Sequence, residues 1–538
     1  MNTSDIFELL RALSDDLDVP CPANMAEYWA NREIFIKSGL GGQMPISFSE
    51  AKRMLYFHEF AYKVCGLEDV TPASSVPSFL KTQQLIRDGT CFHASSRDIG
   101  QLRIILNRMI RPSAWRIKDV VEGFRHGPGA THDGLRSVDK WLSCVPDELG
   151  DLCDPLGRLP RAPFCSWSRY YDVPKTANKK RGICAEYTVN QFVQQGVGRF
   201  IAREIKMFSD VRKQQRNINA ARNPESQTLD LSSASDSISV ELLQELWPEA
   251  VTGNPKTCWQ SLAWLSRSDT VLVPVTRDDM QVHKLYTFAS MGNGFCFPLL
   301  TAVCTAIVIL AISRQFDISI DWSTTRGELL RRLELGGASV YGDDIVVSND
   351  VATRTRFFLE VFGFTLNTAK SSQPRSDIRE TCGSFFIQDR EIDDILRIRD
   401  VTGLVGLAHL CDVQRRAHEK SWFALSECLI RLISHHPSYG DVVMIPAALA
   451  RNLDLSSCLV VTDPHCKARI KSVRDKKLQV EKWRVASLSF PERKVNLAGP
   501  SAWAASLWDT NLASIPETEI SGQTPVVRRK YVRAGSRL

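Results

Sequence analysis

Tyr341-Gly342-Asp343-Asp344 places two adjacent carboxylates between small and apolar runs, Ala338-Ser339-Val340 before them and Ile345-Val346-Val347 after them. Neighbouring carboxylates repel each other and resist burial. As a plain polar turn the pair needs no partner, since Asp is common in turns. As a metal site it would hold Mg²⁺, which takes hard carboxylate oxygens together with substrate phosphates and removes the repulsion. Such a site draws a further carboxylate from elsewhere, and Asp230 in Thr228-Leu229-Asp230-Leu231 is the candidate. Asp236 lies six positions on, ahead of a helical stretch. It suits a helix N-cap and equally a contact to a ribose hydroxyl, and both roles stay open. Ser290, Gly292, Asn293 and Gly294 form a third feature, a loop whose glycines allow a nucleotide or template strand to approach the backbone.

These residues need particular elements to hold them. The apolar–turn–apolar pattern around Gly342 predicts a β-hairpin that projects Asp343 and Asp344 from its tip. Residues 228–231 predict the end of a strand, and Asp230 would face the hairpin if the two strands are neighbours. The run FPLLTAVCTAIVILAI (297–312) is shorter than a membrane span needs and contains Thr and Cys, so a buried core helix is expected. The chain has 538 residues, 43% of them hydrophobic, enough for two to four lobes. Lys plus Arg number 67 against 61 Asp plus Glu, a net charge of +6 that is compatible with nucleic acid without being diagnostic of it. The 15 cysteines include no C-x-x-C pair, which argues for free core thiols in a reducing cytoplasm rather than a disulfide framework or a thiolate zinc site. The acidic, amphipathic start lacks the features of a signal peptide. Residues 1–225 mix helical stretches with Pro/Gly-rich loops, 226–400 are richer in β-like runs, and from 401 the pattern reads as mainly helical. Two basic stretches stand out: 173–186, and 467–494 with ten basic residues against three acids. The second suits RNA-backbone contact or a solvated helix face.

DLSSASDSIS (230–239), SMGNGFCFPL (290–299) and YGDD (341–344), in this order, resemble motifs A, B and C of viral RNA-dependent RNA polymerases. The likeness is in particular to the replicase subunit of positive-strand RNA bacteriophages, the Qβ-type leviviruses. GPGAT (127–131) looks like a fingers element, VPKTANKKRGICAE (173–186) like motif F, LNTAKSS (366–372) like motif D, and ETCGSFFI (380–387) like the motif E hairpin. The resemblance covers roughly residues 120–400. It departs where Glu186 precedes Tyr187 rather than proline, and where motif D offers a single lysine, Lys370.

The resemblance implies an α+β right-hand fold. Its expected parts are an N-terminal region and fingers (1–225), a palm of antiparallel sheet with packed helices (226–400), and a mainly helical thumb with a basic C-terminal region (401–538). It implies attack of an RNA 3′-hydroxyl on the α-phosphate of an NTP, with release of pyrophosphate. Asp230, Asp343 and Asp344 would hold two Mg²⁺ ions, with Mn²⁺ as a substitute. Lys179, Lys180 and Arg181 would offset the triphosphate charge, and Lys370 would protonate the leaving pyrophosphate. Asp236, Ser290 and Asn293 would recognise the ribose 2′-hydroxyl. The implied partners are template and product RNA, NTPs, host elongation factors Tu and Ts, and a host RNA-binding ribosomal protein. No membrane is involved, and the setting is the cytoplasm of a bacterial host. A reverse transcriptase is the nearest rival, although Leu231, Ser232 and Ser233 offer no bulky aromatic to block a 2′-hydroxyl. A non-catalytic RNA-binding protein with a polymerase fold is the other.

Overall fold

The computed structural model describes residues 1–538 apart from 42–45, 90–91, 112–116, 128, 136–139, 141–144, 154–159, 277–278, 400, 451–452, 454, 456–457, 464–471, 476–479, 490–525 and 534–538. The elements that matter for the site run in the order α1 (Ser96–Met109), β1 (Trp167–Pro174), β2 (Lys180–Ala185), α2 (Thr188–Ile205), β3 (Ser226–Leu229), β4 (Thr270–Pro274), β5 (Met280–Lys284), α3 (Cys296–Gln315), β6 (Ser339–Tyr341), β7 (Asp344–Ser348) and α4 (Asn349–Val361).

The long apolar run forms α3, whose residues from Leu299 to Ser313 are all buried. A helix apolar on every side has no face for water and must be wrapped by neighbours. Here α1, α2, α4 and the Arg326–Leu335 helix wrap it, and together they form the largest core of the molecule. The expected core helix is therefore observed. Its Thr301, Thr305 and Ser313 hydroxyls donate back to the carbonyls four residues earlier, so burial leaves none of them unpaired.

Against this core lies a three-stranded antiparallel sheet in the order β3-β7-β6. Ile345, Val346 and Val347 of the central strand are fully buried, which is why both faces of β7 read as one apolar run. A second, four-stranded sheet has the order β2-β1-β4-β5, with β1 and β4 parallel and the other pairs antiparallel. One of its faces buries Tyr170, Cys184, Val271 and Val273 against Phe79 of the Val76–Arg87 helix. A third sheet begins with the hairpin Ile378–Thr381 and Ser384–Ile387, where the ETCGSFFI stretch predicted one. It packs on the Met25–Gly41 and Phe48–Phe60 helices.

The N-terminal Thr3–Leu17 helix shares a core with the Gly403–Glu419 and Phe423–Ser434 helices, far along the chain. The mainly helical reading from residue 401 holds only as far as Ser434. Beyond it lie a parallel pair, Val443–Ile445 with Val460–Thr462, and an antiparallel sheet of Ser472–Asp475, Val480–Ser489 and Val526–Arg533. Lys482 and Arg484 alternate with Trp483 and Val485, a period of two that belongs to a strand rather than to a helix face. Of the basic residues in 467–494, Lys467, Arg469, Lys471, Lys476, Lys477, Arg493 and Lys494 lie outside the described residues.

Candidate active site

β6 and β7 are joined by a two-residue turn, with Tyr341 paired to Asp344 across it. Gly342 takes φ +63°, the left-handed value that the first central residue of such a turn requires. A Cβ there would also run into the Phe297 ring. The first turns of α3 hold the tip in place. Gly342 N donates to Thr301 Oγ1 at 3.0 Å, and Phe297 meets Tyr341 edge-on at 5.0 Å. Behind the tip, Asn217 Nδ2 donates to Asp344 O at 2.7 Å.

β3 pairs with β7 so that Leu229 faces Ile345. Continuing that antiparallel register by one residue brings Asp230 beside Asp344. The predicted neighbours are thus neighbours, and Asp230, Asp343 and Asp344 share one site. Burial raises the Asp344 carboxyl to about 7; Asp343, Asp230 and Glu380 add to the rise, and the Cys382 amide opposes it. Asp230 is also raised, first by burial and then by Asp343, with Lys370 opposing. Its partners come from the LNTAKSS stretch: Asn367 Nδ2 donates at 2.6 Å, Lys370 Nζ stands at 3.7 Å, and Ser371 Oγ accepts from Asp230 N at 3.0 Å. Pairing of Thr365–Leu366 with Leu231–Ser232 holds that stretch alongside.

On the basic side, strand alternation separates two residues expected to act together. Arg181 registers opposite Val173, while Lys180 registers opposite Pro174 and points to the other face, where its charge adds to the Ser74 and Ser75 hydrogen bonds that lower Asp172 against burial. Lys179 is exposed at the turn, bridged through its backbone to Ala73. Lys175, which was not singled out in the sequence, lies within the electrostatic field of the carboxylates. Burial lowers its pKa, as do Arg181 and Lys370, while Asp230 and Asp343 raise it. Its signal was its place in the same basic stretch, across the turn that its amide closes onto Lys179 O at 3.0 Å. Glu380, at the Lys370 end, was missed too. It is an acid on an otherwise buried hairpin strand, and its charge is the main influence raising Lys370 against desolvation.

Asp236 sits in the short Ala234–Ser237 helix, and burial pushes its carboxyl up to about 6 while Ser290 and the Met291 amide oppose the rise. Ser290 Oγ is buried and makes no hydrogen bond of ordinary geometry, although it lies close enough to Asp236 to favour its charged form. The helix cap expected at Asp236 is made by Ser239 instead, whose Oγ accepts from Leu242 N at 3.0 Å. Asn293 faces elsewhere: its Nδ2 donates to Glu186 Oε1 at 3.2 Å and its Oδ1 accepts from Phe295 N at 3.0 Å. Gly292, with φ +114°, serves a close approach to β2, where an added Cβ would strike Cys184 O. Cys184 N donates to Met291 O at 2.8 Å and stitches the loop to that strand.

Among the described residues, no three His, Cys, Asp or Glu side chains form a ready-made metal cage. The donor set still fits Mg²⁺, which is bound by one or two carboxylates with water and substrate phosphates completing the shell. Asp344 and Asp230 are half-buried oxygen donors, and the Asp230 charge adds to the rise of Asp344.

Residues 160–424 match the family described as RNA replicase, beta-chain. That span contains every site residue named above. The RNA-directed RNA polymerase beta chain of Enterobacteria phage GA is 29% identical over 247 residues, covering 45% of this chain and 41% of that protein. The subunit beta of Enterobacteria phage SP is 31% identical over 267 residues, 48% and 40% of the two chains. That of Escherichia virus Qbeta is 28% identical over 221 residues, 40% and 32%. The match thus spans less than half the length of these relatives. A solved structure, the RNA-dependent RNA polymerase from bacteriophage phi12, is similar with a TM-score of 0.40 and 12% identity, over 76% of each chain. Over residues 160–424 the chain is thus similar to the RNA replicase beta-chain family.

Proposed function

We propose that this chain is an RNA-directed RNA polymerase of the right-hand kind, with fingers, palm and thumb in the order 1–225, 226–400 and 401–538. The observation that carries the reading is the β3–β7 pairing, which sets Asp230 beside the hairpin tip of Asp343 and Asp344. The reaction joins an RNA 3′-oxygen to the α-phosphate of an NTP and breaks the bond to the β-phosphate.

Asp230, Asp343 and Asp344 would hold Mg²⁺, or Mn²⁺ in its place, and the ions would supply neutralisation of the charge on the attacking and leaving oxygens. Catalysis of this kind is mainly positioning and electrostatics. Arg181, with Lys175 beside it, would orient the triphosphate. Lys370 holds a proton at Nζ near the carboxylates and would give it to the departing pyrophosphate. Asp236, with the unspent Ser290 hydroxyl, would take the ribose 2′-hydroxyl, whereas Asn293 supports that loop through Glu186. Partners in this reading are template and product RNA and NTPs. Host factors Tu and Ts, a ribosomal protein and a bacterial cytoplasmic setting follow from the family resemblance.

Incorporation of labelled NTP by the purified chain on an RNA template, with dNTP and metal-free arms, is the test. Mg²⁺-dependent NTP incorporation is expected. Preference for dNTP would favour a reverse transcriptase, and RNA binding without incorporation would favour a non-catalytic binder.

A further inference from the structure

The four-stranded sheet has two unlike faces. One is core. The register fixes the other: Tyr171 lies opposite Ile183 and Val173 opposite Arg181, Arg169 lies beside Leu272, and Leu272 lies opposite Val282. Because side chains alternate along a strand, these residues and Trp167 share one face. That face is open, with Trp167 48%, Tyr171 37% and Val282 64% exposed. A single exposed apolar side chain needs no explanation, but several on one sheet face do. The Arg169 guanidinium lies over the Tyr171 ring, 5.4 Å from its centroid. No carboxylate occupies an outward position of the four strands, whereas Arg169, Arg181 and Lys284 do. The face is also continuous with the candidate active site, since Arg181 stands at its end close enough to act on Lys175, which in turn feels Asp230 and Asp343.

Flat aromatic rings beside guanidinium groups suit unpaired nucleotides, whose bases are free to stack and whose phosphates seek cations. A duplex keeps its bases inside and offers such rings nothing to stack on. We propose that this sheet face is a platform for unpaired template RNA leading to the carboxylates, with bases stacked on Trp167 and Tyr171 and phosphates against Arg169. The inference rests on the polymerase reading for its direction, and it goes beyond that reading in naming the surface.

The test is binding of a labelled single-stranded RNA, and of the same RNA annealed to its complement, to the full chain without NTP. Trp167→Ala combined with Tyr171→Ala should weaken single-strand binding about tenfold and leave duplex binding unchanged. Trp167→Phe with Tyr171→Phe should restore it. Arg169→Gln should lower the salt dependence by about one phosphate contact. Both rings lie outside the buried core of the sheet, and thermal midpoints check that the variants fold. Single-strand affinity within about twofold of wild type in a folded double alanine variant would overturn the platform, as would equal loss for single strand and duplex. Ring-dependent single-strand binding by a chain that incorporates no NTP would keep the platform and sink the polymerase reading. Incorporation with ring-independent binding would do the reverse.

Discussion

Lys370 Nζ stands 3.7 Å from Asp230 Oδ1. One ammonium therefore faces the carboxylate that would hold a metal ion, and the Glu380 charge acts on the same ammonium. Lys370 and a bound cation compete for Asp230. Lys370→Gln should cut turnover by about a hundredfold, the scale of a lost general acid. It should also lower the Mg²⁺ concentration needed for half-maximal rate, because the internal competitor is gone. Turnover within twofold of wild type at an unchanged Mg²⁺ requirement would make Lys370 an ordinary surface lysine.

Asp343 occupies the second position of the hairpin turn, outside the packed part of the strands. Asp343→Asn keeps the shape and removes the charge. Incorporation should fall by on the order of 10²–10³-fold or more, the usual scale for deleting one electrostatic stabiliser. RNA binding and the thermal midpoint should hold. Near-normal polymerisation by this variant would show that the turn is only a turn.

Asp236→Ala separates a sugar contact from a structural role. Ser239 already caps the Val240–Leu246 helix, so loss of Asp236 removes no cap. The expected outcome is a smaller preference for NTP over dNTP together with lower activity. Unchanged sugar preference, measured as the ratio of kcat/KM for the two substrates, would exclude Asp236 from the ribose site.

The parts of this site that were legible in the sequence are those with local causes. Gly342 before two aspartates, between apolar runs, can hardly be other than a hairpin tip, and the apolar run 297–312, broken by Thr and Cys, was readable as a core helix. The partnership of Asp230 with that tip was conditional on strand pairing, which only the β3–β7 register supplies. Lys179, Lys180 and Arg181 read as one patch in the sequence, but on a strand neighbours point apart, so Lys180 and Arg181 lie on opposite faces. Lys175 and Glu380 lie inside the motif F and motif E stretches without standing out there, and gained meaning only from which charges surround them. The strands after Ser434 were hidden because their charged residues suggested a solvated helix before their period was counted.

His58 gives the N-terminal helices a defined acid limit. Its ring is buried among Tyr28, Phe35 and Phe57, and neither ring nitrogen has a hydrogen-bond partner. Burial, reinforced by the Arg32 charge and opposed by Glu59, lowers its pKa from 6.5 to about 4. The folded chain therefore keeps His58 neutral after the unfolded chain has begun to take up a proton. The stability this contributes is complete above pH 6.5 and is lost as pH falls from there toward 4. At pH 5 the loss is about 2 kcal/mol, from 1.36 kcal/mol for each pKa unit of difference. His58→Phe preserves the ring packing and removes the titration. Its thermal midpoint should exceed that of wild type at pH 5 by more than it does at pH 7.5. Parallel midpoints for the two proteins across that range would show that His58 titrates alike in the folded and unfolded chains.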